Sequence, residues 1–148
     1  MTTSTDESSL RERREAVVRE HMDSENRHEF DRTMATFSHP RYEMVATGKV
    51  YDGVDAVNEY YRVSRTTFPD QRNDNVTLHH SDDAVIVEFD LLGTHLGGSA
   101  PTGREFRCRM VALFFFDEGD GIVCERVYFD SDTITRQLGV EEPADTLQ

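Results

Sequence analysis

The sequence has one lysine (Lys49), no tryptophan, two cysteines and four prolines in 148 residues. A single lysine nearly removes Schiff-base chemistry, which needs an activated amine. Two cysteines are too few for a disulfide framework. No apolar run approaches the ~20 residues of a membrane-spanning helix. Met1–Ser9 is polar and lacks the charged-then-apolar plan of a signal peptide, so the expected location is cytoplasmic. Positive charge is also scarce: sixteen basic against twenty-nine acidic residues give a net charge of −13. Nucleic acid and anionic membranes are therefore disfavoured as partners, because both demand a positive surface. There is no Gly-x-Ser-x-Gly elbow, phosphate loop, dinucleotide fingerprint, zinc-spaced Cys/His pair or His-Glu-x-x-His helix. The expectation is a pocket that works without metal or cofactor.

What is present fits one domain, residues 10–140, between a tail over residues 1–9 and an acidic tail over residues 141–148. Leu10 to about Asn26 reads as an amphipathic helix with Leu10, Val17, Val18, His21 and Met22 on one side. A short helix carries Phe30, Met34 and Phe37, and Pro40 stops it. Two short strands, Arg41–Thr47 and Lys49–Tyr51, meet at Gly48. A third helix opens after Asp52-Gly53, with Val54, Val57, Tyr61 and Ser64 inward. The period then changes. Asn75–His80, Ala84–His95, Thr102–Phe116 and Ile122–Asp130 are rich in β-branched and aromatic residues and separated by turn signals. Helices followed by a meander indicate a segregated α+β fold, with a curved antiparallel sheet around the N-terminal helices as a cone-shaped barrel.

Alternation sorts the last hairpin into two faces. If Phe116 faces Ile122, one face holds Phe106, Cys108, Met110, Ala112, Phe114 and Phe116, opposite Ile122, Cys124, Arg126, Tyr128 and Asp130. This nearly continuous apolar face is expected to line the pocket. The other face, with Val111, Leu113, Phe115 and Glu125, suits a subunit contact. On this assignment Cys108 and Cys124 are too far apart to bridge. Asp130 lies at a strand end among apolar neighbours, where desolvation raises a carboxyl pKa toward the range useful for acid/base catalysis. The alternative is that Asp130 caps a helix over Thr133–Leu138, although Asp132 could serve instead. His95 shares a face with Val85, Val87, Phe89 and Leu91, either as a hydrogen-bonded structural residue or as a pocket group. Tyr61 and Tyr128 could donate to a substrate carbonyl, with Met110, Phe114 and Phe89 as apolar walls.

Tyr51-Asp52-Gly53, Phe68-Pro69-Asp70, Gly93-Thr94-His95-Leu96-Gly97, Pro101-Thr102-Gly103-Arg104, Tyr128-Phe129-Asp130 and Arg136-Gln137-Leu138-Gly139 follow in that order. This series, spanning Arg14 to Val140, resembles the SnoaL-like polyketide cyclase family, of the nuclear-transport-factor and ketosteroid-isomerase type of fold. The resemblance implies a homodimer acting on a small hydrophobic or polyketide-like molecule. It also implies ring closure by intramolecular aldol condensation, with a pocket aspartate as general acid/base and no metal. That aspartate matches Asp130, and His95 carries over with its motif. The same pattern occurs in hydroxylase-like and ester-cyclase members, and the fold also hosts isomerases, dehydratases and binding modules. The alternative function is a non-catalytic module that binds a small hydrophobic ligand or dimerises.

Overall fold

The structure, a computed structural model, describes residues 3–140. The acidic segment over residues 141–148 lies outside the described residues. The first helix, α1 (Thr3–Asn26), begins before Leu10, so part of the expected tail is helical. Its buried stripe is Arg14, Val18, His21 and Met22, spaced as one helical face requires. After α2 (Phe30–Ala35) come β1 (Arg41–Met44), β2 (Lys49–Asp52) and α3 (Val54–Thr67). Helix α3 buries Val57, Tyr60, Tyr61, Ser64 and Thr67, while Val54 is exposed at its first turn.

The meander follows as β3 (Arg72–His80), β4 (Ala84–Thr94), β5 (Glu105–Phe116) and β6 (Ile122–Tyr128), and α4 (Ser131–Leu138) closes the fold. All six strands form one curved sheet in the order β2-β1-β6-β5-β4-β3. Its ladders are antiparallel except that β1 runs parallel to β6, a pairing with no short connection to dictate direction. The concave face of β5 buries Phe106, Cys108, Met110, Ala112, Phe114 and Phe116, as alternation requires. Strand β4 adds Val85, Val87, Phe89 and Leu91, paired with Phe114, Ala112, Met110 and Cys108.

Strand β6 departs from the expected register. Phe116 pairs with Ile122 but Phe115 pairs with Cys124, so Val123 is an extra residue without a partner in the ladder. A bulge of this kind reverses the faces of every later residue. Glu125 and Val127 therefore join Phe114 and Ala112 on the concave side, and Arg126 and Tyr128 turn outward. Arg126 lies over the Phe115 ring at 4.8 Å and pairs with Glu43. Cys108 and Cys124 are free and buried on opposite faces.

Candidate functional site

The bulge builds the site by carrying an acidic side chain inward. Glu125 stands between Phe114 of β5 and Tyr42 of β1. Helix α1 crosses this part of the concave face and sets His21, wholly buried, against the Phe114 and Phe37 rings at 5.1 and 5.2 Å. His21 Nε2 lies 2.9 Å from Glu125 Oε1 and 3.7 Å from Glu25 Oε2, one helical turn further on. Beyond this ion pair, Glu125 Oε1 has no hydrogen-bond partner among the described residues.

Neighbouring hydroxyls surround the pair. Thr36 donates to the Thr33 carbonyl at 2.6 Å, so its oxygen accepts from His21 Nδ1–H at 2.8 Å. With Nδ1 protonated, a second proton on Nε2 makes His21 a cation facing Glu125 at 2.9 Å, whereas a bare Nε2 accepts from the Tyr42 hydroxyl at 3.1 Å. The Tyr42 hydroxyl lies 3.0 Å from Glu25 Oε2, to which it can donate, 3.1 Å from His21 Nε2 and 2.7 Å from the Tyr61 hydroxyl. Burial works against the His21 cation, but Glu25 and Glu125 outweigh it and raise its pKa above the ordinary 6.5. Burial also raises the Glu125 pKa, against the opposing pull of the His21 hydrogen bond. Burial pushes the Tyr60 and Tyr61 phenols up as well, so both stay protonated.

Glu125 and Glu25 line a cavity between α1, α3 and the sheet, and His21 is not among its lining residues. Three of the five methionines in the sequence, Met22, Met44 and Met110, line it with Phe89 and Leu91. Arg65, Tyr60 and Gln71 complete its polar side. The cavity volume is about 30 Å³, room for a water or two. Unbranched methionine side chains make its wall adaptable, so a larger ligand can enter by displacing them. Ligand atoms of His21, Glu25 and Glu125 all lie within 4.8 Å of one another, so these three side chains could hold a metal ion. A metal would have to displace the proton on the His21–Glu125 contact.

Of the residues singled out in the sequence, only Phe89 and Met110 line this cavity. Phe114 packs on the His21 ring, and Tyr61 belongs to the hydroxyl network around Tyr42. Tyr128 is on the convex side and 43% exposed, a correction to its expected pocket position. Asp130 is corrected in the same way. It is exposed at the N-cap of α4, accepting from the Asp132 backbone N–H at 3.1 Å and the Thr133 hydroxyl at 3.0 Å. Its neighbour Cys108 contacts only its backbone carbonyl, at 3.9 Å.

His95 is buried but fastens a loop. Its Nδ1 accepts from the Thr102 backbone N–H at 3.2 Å, and its ring lies 5.7 Å from Phe68. The surrounding motif is a joint between β4 and α3. Asp70 accepts from the backbone and hydroxyl of Thr94 at 2.7 and 2.6 Å, and Leu96 and Gly97 donate to the Thr67 carbonyl. A Cβ on Gly97 would come within 1.8 Å of the Thr66 carbonyl oxygen, so only glycine fits. Sequence reasoning missed Glu125, Glu25 and Arg65. His21 was visible only as one member of a helical stripe.

The model of the SnoaL-like domain matches residues 18–125, a span that holds His21, Glu25, Arg65 and Glu125. The chain belongs to the SnoaL-like domain family. Solved structures agree on its fold. A phenazine biosynthesis-related protein of Pseudomonas aeruginosa is 21% identical with a TM-score of 0.78, over 94% of this chain and 93% of that one. An inferred polyketide cyclase of Xanthomonas campestris pv. campestris is 15% identical with a TM-score of 0.79, over 87% and 98%. A hypothetical protein of Catenulispora acidiphila with a ketosteroid isomerase-like fold, in complex with trimethylamine, is 15% identical with a TM-score of 0.72, over 84% and 93%. No curated protein matches the chain. Among the described residues, no helix of this SnoaL-like chain is long and apolar enough to cross a membrane.

Proposed function

We propose that this SnoaL-like chain is a small-molecule enzyme of the cyclase or isomerase type, working by acid/base chemistry in the concave cavity. The observation that carries this reading is the 2.9 Å contact of Glu125 with a wholly buried His21. In the proposed step the Glu125 carboxylate removes a proton from carbon next to a ligand carbonyl. The electron pair left behind becomes an enolate, which closes onto a second carbonyl or takes the proton back at another carbon. Burial holds the Glu125 proton affinity up, which suits a base that must also return its proton. Tyr60, kept neutral by burial, supplies a hydrogen-bond donor in the cavity wall. His21 does not reach the cavity and acts through Glu125, as a positioning residue.

The reading is tested by deuterium uptake from D2O at the α-carbon of a panel of small ketones and β-keto esters. Uptake accelerated by the wild type, and lost with an intact fold in Glu125→Gln, supports it. Uptake unchanged in Glu125→Gln rejects it.

The same proposal includes pairing of two copies through the convex face. Val111, Leu113 and Phe115 are half-buried there, beside exposed Tyr128. Apolar side chains clustered on a sheet face are best covered by another such face. Sedimentation of wild type and Leu113→Glu checks this: a dimer that becomes a monomer supports it, and a monomeric wild type rejects it.

A further inference from the structure

Arg65 is the odd member of the cavity. Its side chain is 10% exposed, yet Nε has no hydrogen-bond partner among the described residues. Nη1 donates to the Ser64 hydroxyl at 2.8 Å, and Tyr60 takes a further hydrogen bond from the guanidinium. The nearest carboxylate oxygen, Glu25 Oε2, is 3.9 Å from Nη2, beyond hydrogen-bond range, and accepts instead from Tyr42. A structural arginine this deeply buried normally has a carboxylate in direct contact, because an under-satisfied buried charge is destabilising. Here the Glu25 carboxylate lies out of hydrogen-bond range, and the Nε–H is left without an acceptor among the described residues.

A guanidinium N–H forms a charge-assisted hydrogen bond to a carboxylate, about twice as strong as one between neutral groups. The plane is fixed in advance, since the guanidinium carbon lies 5.1 Å from the Phe30 ring centre and 5.9 Å from that of Tyr61. We propose that Arg65 is the docking point for a carboxylate on the ligand, which enters the cavity with its anionic end on the Nε–H. The proposal rests on the cavity being the ligand site, as argued above, and adds the chemical class of the ligand.

Charge and size select a carboxylate over a phosphate. Glu25 and Glu125 line the same cavity, so a dianion would be repelled about twice as strongly there as a carboxylate with its single charge. The cavity of about 30 Å³ holds a water or two, so formate asks for the least movement of its wall and acetate for little more. A longer acid must displace the methionines.

The test follows the Nε–H resonance of Arg65, with the melting temperature, while sodium formate and then acetate are titrated at constant ionic strength. Acetamide and chloride are the controls. Saturable responses to the two carboxylates alone are expected, and in Arg65→Gln an apparent affinity for acetate at least tenfold weaker, read by melting temperature. No saturable response in the wild type, an equal response to acetamide, or undiminished stabilisation of Arg65→Gln would overturn the proposal. If Arg65→Gln fails to fold, the wild-type resonance decides alone. Deuterium uptake is not read here, so a positive titration without uptake sinks the acid/base reading and leaves carboxylate docking standing.

Discussion

Glu125 stands directly across from Phe114 in the β5–β6 ladder, on the concave side of the sheet. Its carboxyl is 8% exposed and meets the His21 ring, which is wholly buried. Removing one member of such a pair leaves a buried charge without compensation. Glu125→Ala is expected to lose about 3–5 kcal/mol of stability, the range for breaking a buried pair. Glu125→Gln keeps the shape and a polar partner and should lose clearly less. Urea unfolding of the two variants at neutral pH gives the comparison.

Stability should also fall as pH rises above neutrality. His21 and Glu125 both have their pKa raised by folding, from ordinary values of 6.5 and 4.5. The folded chain therefore holds protons more tightly than the unfolded one, and loses this advantage as pH rises through the folded values. Carboxylates held low act in the opposite sense, but only where they titrate. Glu43, beneath the Arg126 and Arg41 guanidiniums, loses its contribution as pH falls below its ordinary 4.5. A series of urea midpoints from about pH 6 to pH 8.5 isolates the buried pair. The wild type should decline, and Glu125→Gln should decline less.

Asp130 is expected to matter for folding and not for chemistry. Its carboxylate caps α4 through Asp132 and Thr133. Asp130→Ala should cost about 1 kcal/mol, the usual value of an N-cap, and Asp130→Asn much less. Both should retain any deuterium uptake the wild type shows. Uptake abolished in a folded Asp130→Asn would return the acid/base role to Asp130.

Two glycines make a matched pair for the joint between α3 and β4. A Cβ on Gly97 meets the Thr66 carbonyl at 1.8 Å, whereas one on Gly119 meets nothing within 4 Å. Gly97→Ala should cost about 2–3 kcal/mol as the loop is forced off α3, and Gly119→Ala close to nothing. Thermal melts of the two variants are enough to tell them apart.

The order of elements was legible in the sequence because each has its own period and its own punctuation. The concave face of β5 was legible as well, six alternate residues being apolar or small. Strand β6 was not. Each of its faces carries one charged residue, Arg126 or Glu125, so alternation had no preference, and a bulge at Val123 decided the outcome after the turn. That one extra residue exchanged Arg126 and Tyr128 for Glu125 and Val127 at the cavity, and with them went the reading of Asp130 as a pocket group. His21 was visible on its helical stripe, but the meeting of that stripe with β6 joins distant parts of the chain and no local spacing encodes it. Arg65 follows Ser64 on the inner side of α3, where its charge argues against burial until Phe30 and Tyr61 are placed around it.

The claim beneath all of this is that a proton is shared between His21 and Glu125 at neutral pH. The most direct measurement is a side-chain 15N–1H NMR titration of His21 in the wild type and in Glu125→Gln. The account predicts hydrogen on both ring nitrogens at pH 7, with a midpoint above the ordinary 6.5 that falls when Glu125 is replaced. A His21 that carries hydrogen on Nδ1 alone at pH 7, and titrates identically in both proteins, would contradict it.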